Sequence, residues 1–289
     1  MKSILFIGIG KMGLPMARHL HAGGHAVSVF DIAPARMALA AEAGLTRVVD
    51  VAPALAVAPI VFSSLPDDAA LGVVARQVAN HAQAGTVWIE TSTVSLEASR
   101  EAAAMATARR IACVRAPVSG NATMAERAAL SVFASGDAAA YASIKELFTL
   151  WGPSQIYLGA AEEARVAKLM VNLLIAGTST MLAEALAFGE RAGLGRDVLW
   201  DVITASAAAS PIIKAKAPLL RVDDYTPTFT VVQLLKDVGL IRGAAADCGV
   251  ATPVTDVAAA ELQAALANGA GGEDYAVVIR EARGKHVGK

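Results

Sequence analysis

Cysteine is nearly absent: Cys113 and Cys248 are the only two in 289 residues. They allow at most one disulfide and no cysteine-built zinc site, so a reducing cytosol is the expected, cytoplasmic location. Histidine is sparse too. The five are His19, His21, His25, His81 and His286, with none between His81 and the tail. A zinc alcohol-oxidising centre needs Cys and His ligands in number, so no metal site is expected. A His-Asp proton relay needs a histidine in or near the second domain, and none lies between His81 and the tail. Charge of one sign is missing as well: the formal net charge is −1. No basic footprint marks a nucleic-acid partner. Aromatics reach only 5%, and no internal repeat or disordered linker is visible.

Two apolar stretches imitate something else. MKSILFIGIG looks briefly like a signal peptide, but its apolar run is short and glycines follow where a cleavage site would be expected. It reads as a buried first strand. Ala164–Gly189 resembles a membrane span, yet it carries Lys168, Asn172, Thr178, Ser179, Thr180 and Glu184. A buried core helix is the better reading, and no membrane partner is expected.

Hydrophobic residues make up 55% of the chain, much of that alanine. This suits helix-rich packing and buried subunit interfaces. The length predicts about two domains. Ile4–Ile9 is an apolar run ending in Gly8-Ile9-Gly10-Lys11-Met12-Gly13, a helical pattern runs on to Leu20, and His25–Phe30 alternates into Asp31. This is strand, glycine turn, helix, strand, acid. Gly8 permits the tight turn, Gly10 lets backbone approach a pyrophosphate, and Gly13 allows close helix packing. Asp31 stands 18 residues after Gly13, where a carboxylate accepts from an adenosine ribose. It favours NAD, because it would repel a ribose phosphate; Arg36, five residues on, leaves NADP open.

Alternation continues. Helices are expected at Met37–Ala43, Ala69–Ala82, Leu96–Arg109 and Ala138–Leu150. Strands are expected at Ala58–Leu65, Thr86–Glu90, Ile111–Ala116, Leu130–Ser135 and Gln155–Leu158. The class is α/β: a doubly wound sheet followed by an all-helical domain. Ser63–Pro66, Thr91–Thr93 and Ser119–Asn121 all follow strands, at the ends where such sheets bind ligands. Ala164–Gly189 would then be one long helix, roughly 39 Å at 1.5 Å per residue, joining the two domains. Helices should follow at Asp197–Ala208, Thr230–Ala246, Thr255–Asn268 and Asp274–Ala282. The expected domains are residues 1–161 and 162–289. Lys168 and Asn172 lie at i and i+4, on one face of the long helix.

Four blocks then acquire a joint meaning. They are Gly8-Ile9-Gly10-Lys11-Met12-Gly13-Leu14-Pro15-Met16-Ala17, Ala116-Pro117-Val118-Ser119-Gly120, Lys168-Leu169-Met170-Val171-Asn172, and Phe229 with Lys236-Asp237. In order and type they resemble the cofactor turn, the A-P-V-S-G block, the K-x-x-N-N block and the F-x(6)-K-D block of the β-hydroxyacid dehydrogenase family, which includes 3-hydroxyisobutyrate dehydrogenases. The resemblance implies a Rossmann domain and a helical domain joined by a long helix, and homodimers or homotetramers packed through the helical domains. It implies a small carboxylate substrate and a nicotinamide cofactor. Lys168 would be the acid/base, and Asn172, Ser119 and Gly120 would hold the substrate carboxylate and hydroxyl. Leu65, Pro66, Thr93 and Lys236 would contact the cofactor, with Phe229 near the nicotinamide. The chain departs from the family at Asn121 for a second glycine, Val171 for the first Asn, Arg115 where an acid is common, and Met124–Leu130, where a glycine pattern is degraded. Asn121 and Arg115 point to an unusual or larger hydroxy acid.

Lysine starts near pKa 10.4, so a lysine base must be partly neutral, which burial or nearby positive charge promotes. Tyr141-Ala-Ser-Ile-Lys145 has the Tyr-x-x-x-Lys spacing of short-chain dehydrogenases, but the glycine turn has the wrong spacing for them. Tyr141 also reads as part of a packing face. An imine reductase-like enzyme on the same scaffold is an alternative that Lys168 argues against. A non-catalytic dinucleotide-binding protein is another.

Overall fold

The structure is a computed structural model, and it describes residues 1–284. His286 lies outside them. The described chain divides into two compact units between Leu169 and Met170.

The first unit opens with β1 (Ser3–Ile7), α1 (Gly13–Ala22), β2 (Ala26–Phe30), α2 (Pro34–Glu42), β3 (Thr46–Arg47) and α3 (Val51–Leu55). It continues through β4 (Ile60–Ser63), α4 (Asp68–His81), β5 (Val87–Glu90), α5 (Leu96–Ala108) and β6 (Ala112–Arg115). Then come β7 (Val118–Ser119), α6 (Ala122–Glu126), β8 (Ser131–Gly136), α7 (Ala138–Phe148), β9 (Ser154–Tyr157) and the start of α8 (Glu163–Arg191). The strand order is β3-β2-β1-β4-β5-β6-β8-β7, with β9 paired to β8. Neighbours from β3 to β6 run parallel, while β6–β8 and β7–β8 are antiparallel.

Side-chain alternation explains why helices cover both faces. On β1, Ile4 and Phe6 enter one core with Phe62, Ile89 and Trp151; Leu5 and Ile7 enter the opposite core with Val61, Trp88 and Ala106. Phe6 stacks on Phe62 at 5.6 Å, and Trp151 meets Phe62 edge-on at 5.2 Å. The chain runs outward from β1 in one direction and from β4 in the other. The switch point therefore lies at the carboxyl ends of β1 and β4, the place where open α/β sheets take ligands.

The second unit contains the rest of α8, α9 (Arg196–Ala205), α10 (Pro211–Leu220), α11 (Val231–Asp247), α12 (Pro253–Ala267), a short 3₁₀ turn (Tyr275–Val277) and α13 (Val278–Gly284). Its core gathers Leu182, Leu186, Trp200, Leu234, Val238, Leu262 and Ile279. α10 has no counterpart in the sequence reading. Pro211 and Pro218 argue for breaks, yet Pro211 occupies the first turn, Ser210 caps the N-terminus by accepting from the Ile213 amide at 3.3 Å, and the helix runs through Pro218 to Leu220. β3, α3, β7 and α6 were also unforeseen, and each is five residues or fewer.

α8 is long and apolar enough to cross a membrane. Two of its polar side chains, however, are satisfied inside protein. Arg165 and Asn172 are each 2% exposed and both have partners described below, as in a core helix. Its apolar residues fall on two faces. Leu169, Ala176, Ala183 and Leu186 are buried; Val166, Met170, Leu174, Met181 and Phe188 are exposed.

Candidate active site

The turn after β1 is built by forced glycines. Gly8 has φ +84°, and a Cβ there would lie 2.3 Å from the Ser64 carbonyl oxygen. A Cβ on Gly13 would lie 2.0 Å from the Gly8 oxygen. The turn is thus pressed onto the start of α1 and onto the loop after β4. Gly10 meets nothing within 4 Å, so its backbone faces open space. Lys11 is exposed, Met12 is half-buried, and no side chain caps the α1 N-terminus. The Leu14 amide already bonds the Gly10 carbonyl at 3.2 Å and Pro15 has no N–H, so α1 offers an anion the Gly13 amide and the positive end of its dipole. Asp31, just beyond β2, accepts from the Ile9 amide at 2.9 Å and from the Ala33 amide at 2.8 Å. These two bonds lock the carboxylate beside the glycine turn.

The loops after β4 and β5 are stitched together. The Leu65 amide donates to Ser92 Oγ at 2.7 Å, and Thr91 Oγ1 donates to the Ser63 carbonyl at 2.8 Å. Glu90, 1% exposed, accepts from the Ser92 amide at 3.1 Å and from the Ser92 hydroxyl. Pro66 is exposed and Thr93 half-buried at the rim of these loops. Arg165, in the first turn of α8, forms an ion pair with Glu90 and donates to the Ser92 carbonyl and, at 3.2 Å, to Ser99 Oγ. Lys168 follows three residues later and is half-buried.

In the second unit the Asn172 side-chain amide donates to Asp237 Oδ2 at 2.6 Å. Asp237 is 2% exposed, and Lys236 Nζ lies 3.0 Å from its other oxygen. Phe229 is half-buried against Tyr275, with ring centroids 6.0 Å apart. Burial also pushes the Tyr275 hydroxyl well above its usual range, with the Asp274 charge adding to the effect.

The predicted residues therefore fall into groups. Gly8 to Gly13, Asp31 and the Leu65 loop meet within the first unit; Asn172 and Lys236 meet on Asp237 within the second. Ser119 ends β7 half-buried, and Gly120 is exposed beside Met124 and Leu130. Sequence reasoning missed Glu90, Ser92, Arg165 and Asp237. Asp237 had a signal, as the second residue of the Lys236-Asp237 block. Arg165 sits at i−3 from Lys168, a spacing that places both near one helix face.

Comparison with known proteins shows the family of the chain. Residues 3–159 match the family model for the NAD-binding domain of 6-phosphogluconate dehydrogenase. Residues 163–282 match the model described as the NAD-binding domain of NADP-dependent 3-hydroxyisobutyrate dehydrogenase. A Mycobacterium bovis protein named as a probable 3-hydroxyisobutyrate dehydrogenase is 30% identical, with 99% of each chain covered. The chain belongs to the β-hydroxyacid dehydrogenase family. An NAD-dependent L-serine dehydrogenase of Pseudomonas aeruginosa is also 30% identical, covering 96% of this chain and 97% of its own. A solved 3-hydroxyisobutyrate dehydrogenase of Mycobacterium tuberculosis with L-serine superposes with a TM-score of 0.90 at 30% identity, over 98% of this chain and 99% of that one.

This β-hydroxyacid dehydrogenase is an NAD(P)-dependent oxidoreductase acting on CH–OH donors. Its turn fits a dinucleotide: the space over Gly10, the uncapped α1 and the fixed Asp31 carboxylate are what a pyrophosphate and a ribose require. Two departures from the family pattern have structural explanations in the dehydrogenase. Arg115 is 7% exposed, paired with Glu162 and donating to Ser99 Oγ at 3.3 Å. Its guanidinium is committed within the protein, which removes it as a reason to expect a larger substrate. Asn121 caps α6, its Oδ1 accepting from the Met124 amide at 3.0 Å. Tyr141 packs on Tyr157 at 4.7 Å, as a packing residue should.

Proposed function

We propose that this dehydrogenase oxidises small 3-hydroxy acids, or reduces the matching aldehydes or keto acids, with Lys168 as general acid/base. When bound, the nicotinamide accepts or returns the hydride of the alcohol carbon. In oxidation Lys168 Nζ takes the hydroxyl proton while the C–H electron pair departs; in reduction it gives that proton to the carbonyl oxygen. Asn172, Ser119 and the Gly120 amide orient the carboxylate and hydroxyl. Gly8, Gly10, Lys11, Met12, Gly13, Asp31, Leu65, Pro66, Thr93, Phe229 and Lys236 hold the cofactor, with NAD preferred. Residues 1–161 form the dinucleotide-binding domain and residues 162–289 the substrate domain.

The observation that carries this reading is Asn172. It is 2% exposed, fixed by Asp237 at 2.6 Å, and one helical turn from a half-buried lysine. A buried amide held this tightly beside a lysine suits substrate positioning. L-serine and 3-hydroxyisobutyrate, named for the relatives, share a hydroxyl on the carbon β to a carboxylate. That is the substrate class expected here. The protein is expected to form a homodimer or homotetramer through the helical domain, with the exposed Val166–Phe188 stripe of α8 as contact.

The test is reduced-nicotinamide absorbance with NAD or NADP and a panel of 3-hydroxy carboxylates, alongside Lys168→Ala. Turnover of one acid with NAD, lost in the variant while cofactor still binds, is the expected result. Silence on every acid, aldehyde and keto acid with NAD still bound would overturn it.

A further inference from the structure

We propose that Arg165 is a positioning residue that sets Lys168 relative to the Leu65 and Ser92 loops, through the buried carboxylate of Glu90. The proposal rests on the reading of Lys168 given above.

The connections are short and lie within one unit. Lys168 is less than one helical turn from Arg165, about 4.5 Å along the axis. The Arg165 guanidinium reaches back from α8 to three groups at the carboxyl end of β5 and the start of α5. It forms an ion pair with Glu90, donates to the Ser92 carbonyl, and donates to Ser99 Oγ at 3.2 Å. Glu90 in turn holds the Ser92 amide at 3.1 Å and the Ser92 hydroxyl, and Ser92 Oγ accepts from the Leu65 amide at 2.7 Å. Ser63 Oγ closes the far side, 3.4 Å from Glu90, while accepting from the Trp88 indole at 2.9 Å. Arg165 and Glu90 are 2% and 1% exposed, so water cannot substitute for either partner.

The start of a helix is its least constrained part, because its first amides lack intrahelical acceptors. Here the first turn of α8 is pinned through a planar fork rather than a flexible ammonium. The same fork fixes the Ser92 backbone next to Thr93, and Ser92 Oγ in turn holds the Leu65 amide of the neighbouring loop. One guanidinium thus ties the acid/base to the cofactor loops. A second buried pair, Arg115–Glu162, shares Ser99 but makes no hydrogen bond to Glu90 or Ser92 among the contacts described. It is an internal control for general loss of stability.

The test uses the full-length protein with the best acid from the panel. Arg165→Gln, Arg165→Lys, the neutral pair Glu90→Gln with Arg165→Gln, and Glu162→Gln are each measured for thermal midpoint, NADH affinity, kcat and KM for NAD. Lys168→Ala and Lys168→Ala with Arg165→Gln complete a double-mutant cycle. Misplacement of a reacting group by about 1 Å costs about 10²-fold. Arg165→Gln and the neutral pair should therefore lose about that much kcat and raise KM for NAD, with Arg165→Lys in between. In the Lys168→Ala background Arg165→Gln should cost little further kcat. Glu162→Gln should lower the thermal midpoint and leave kcat unchanged. The neutral pair and Arg165→Lys leave no lone buried carboxylate, so they report even if Arg165→Gln does not fold.

Unchanged kcat in the folded variants would overturn the proposal. So would an equal kcat loss in Glu162→Gln, or a full multiplicative loss in the Lys168→Ala background. If Lys168→Ala turns over like the parent protein, the reading of Lys168 falls and this inference falls with it. If Lys168→Ala is crippled and the Arg165 variants are not, this inference alone falls.

Discussion

Replacing Asp237 with alanine removes the acceptor of the Asn172 amide, and burial on both sides sets the size of the effect. Both residues are 2% exposed and the bond is 2.6 Å long. A hydrogen bond to a charged acceptor contributes about 2 kcal/mol net, and the stranded donor keeps its desolvation cost. At about 1.4 kcal/mol per tenfold, about 2 kcal/mol corresponds to about a 30-fold fall in kcat/KM. The Lys236 ion pair adds less, because its side chain is 33% exposed and solvent screens it. Asp237→Asn keeps the volume and one acceptor oxygen and should fall between the parent and Asp237→Ala. The assay is initial NADH formation over a range of acid concentrations, with the thermal midpoint measured in parallel and Asn172→Ala completing a cycle. If Asp237 acts through Asn172, the double variant is no worse than Asn172→Ala alone. A full 30-fold penalty for Asp237→Ala in the Asn172→Ala background would refute the reasoning, as would a silent Asp237→Ala.

Asp31→Ala removes the carboxylate and the acceptors of the Ile9 and Ala33 amides. It should raise KM for NAD about tenfold and move the kcat/KM ratio toward NADP; an unmoved ratio counts against Asp31 as the ribose anchor. Burial pushes the Cys113 thiol from 9.0 up to about 11. A raised folded pKa means stability that is full below pH 9 and lost as pH climbs toward 11, on the order of 2 kcal/mol by about pH 10.5. Urea denaturation at pH 8 and about pH 10.5 should show a steeper loss for the parent than for Cys113→Ala, and equal losses would contradict this. Met181→Lys with Phe188→Glu places charges on the exposed stripe of α8. Light scattering should then report a smaller assembly than the parent, whereas an unchanged mass would remove that face as the contact.

Much of the fold was legible because its signals are local. The glycine turn, the alternation of β1 and β2 and the helical spacing of Ala164–Gly189 each depend on neighbouring residues. What stayed hidden depends on distant ones. α10 was hidden by Pro211 and Pro218, since a proline's position within a helix decides whether it caps or breaks. Glu90 and Arg165 are 75 residues apart, and nothing in either neighbourhood announces the other. Arg115 reads in sequence as a substrate-facing change; only Glu162 and Ser99 reveal it as an internal ion pair. For the site, residue types came through and their partners did not. Asn172 and Asp237 each stood in a quoted block, but the bond by which the carboxylate aims the amide was not visible.

The cluster around Ser99 also constrains how this sequence can change over generations. Glu90, Arg115, Glu162 and Arg165 are two acids and two bases, each buried. Removing one leaves a stranded charge costing about 3–5 kcal/mol, against a total stability of about 5–15 kcal/mol for a typical protein. An acid at position 115 would face Glu162 as a like charge. Arg115 and Glu162 should therefore arise and disappear together among descendants of this chain, and so should Arg165 and Glu90. Lineages that exchange one member alone would first have to acquire stabilising substitutions elsewhere.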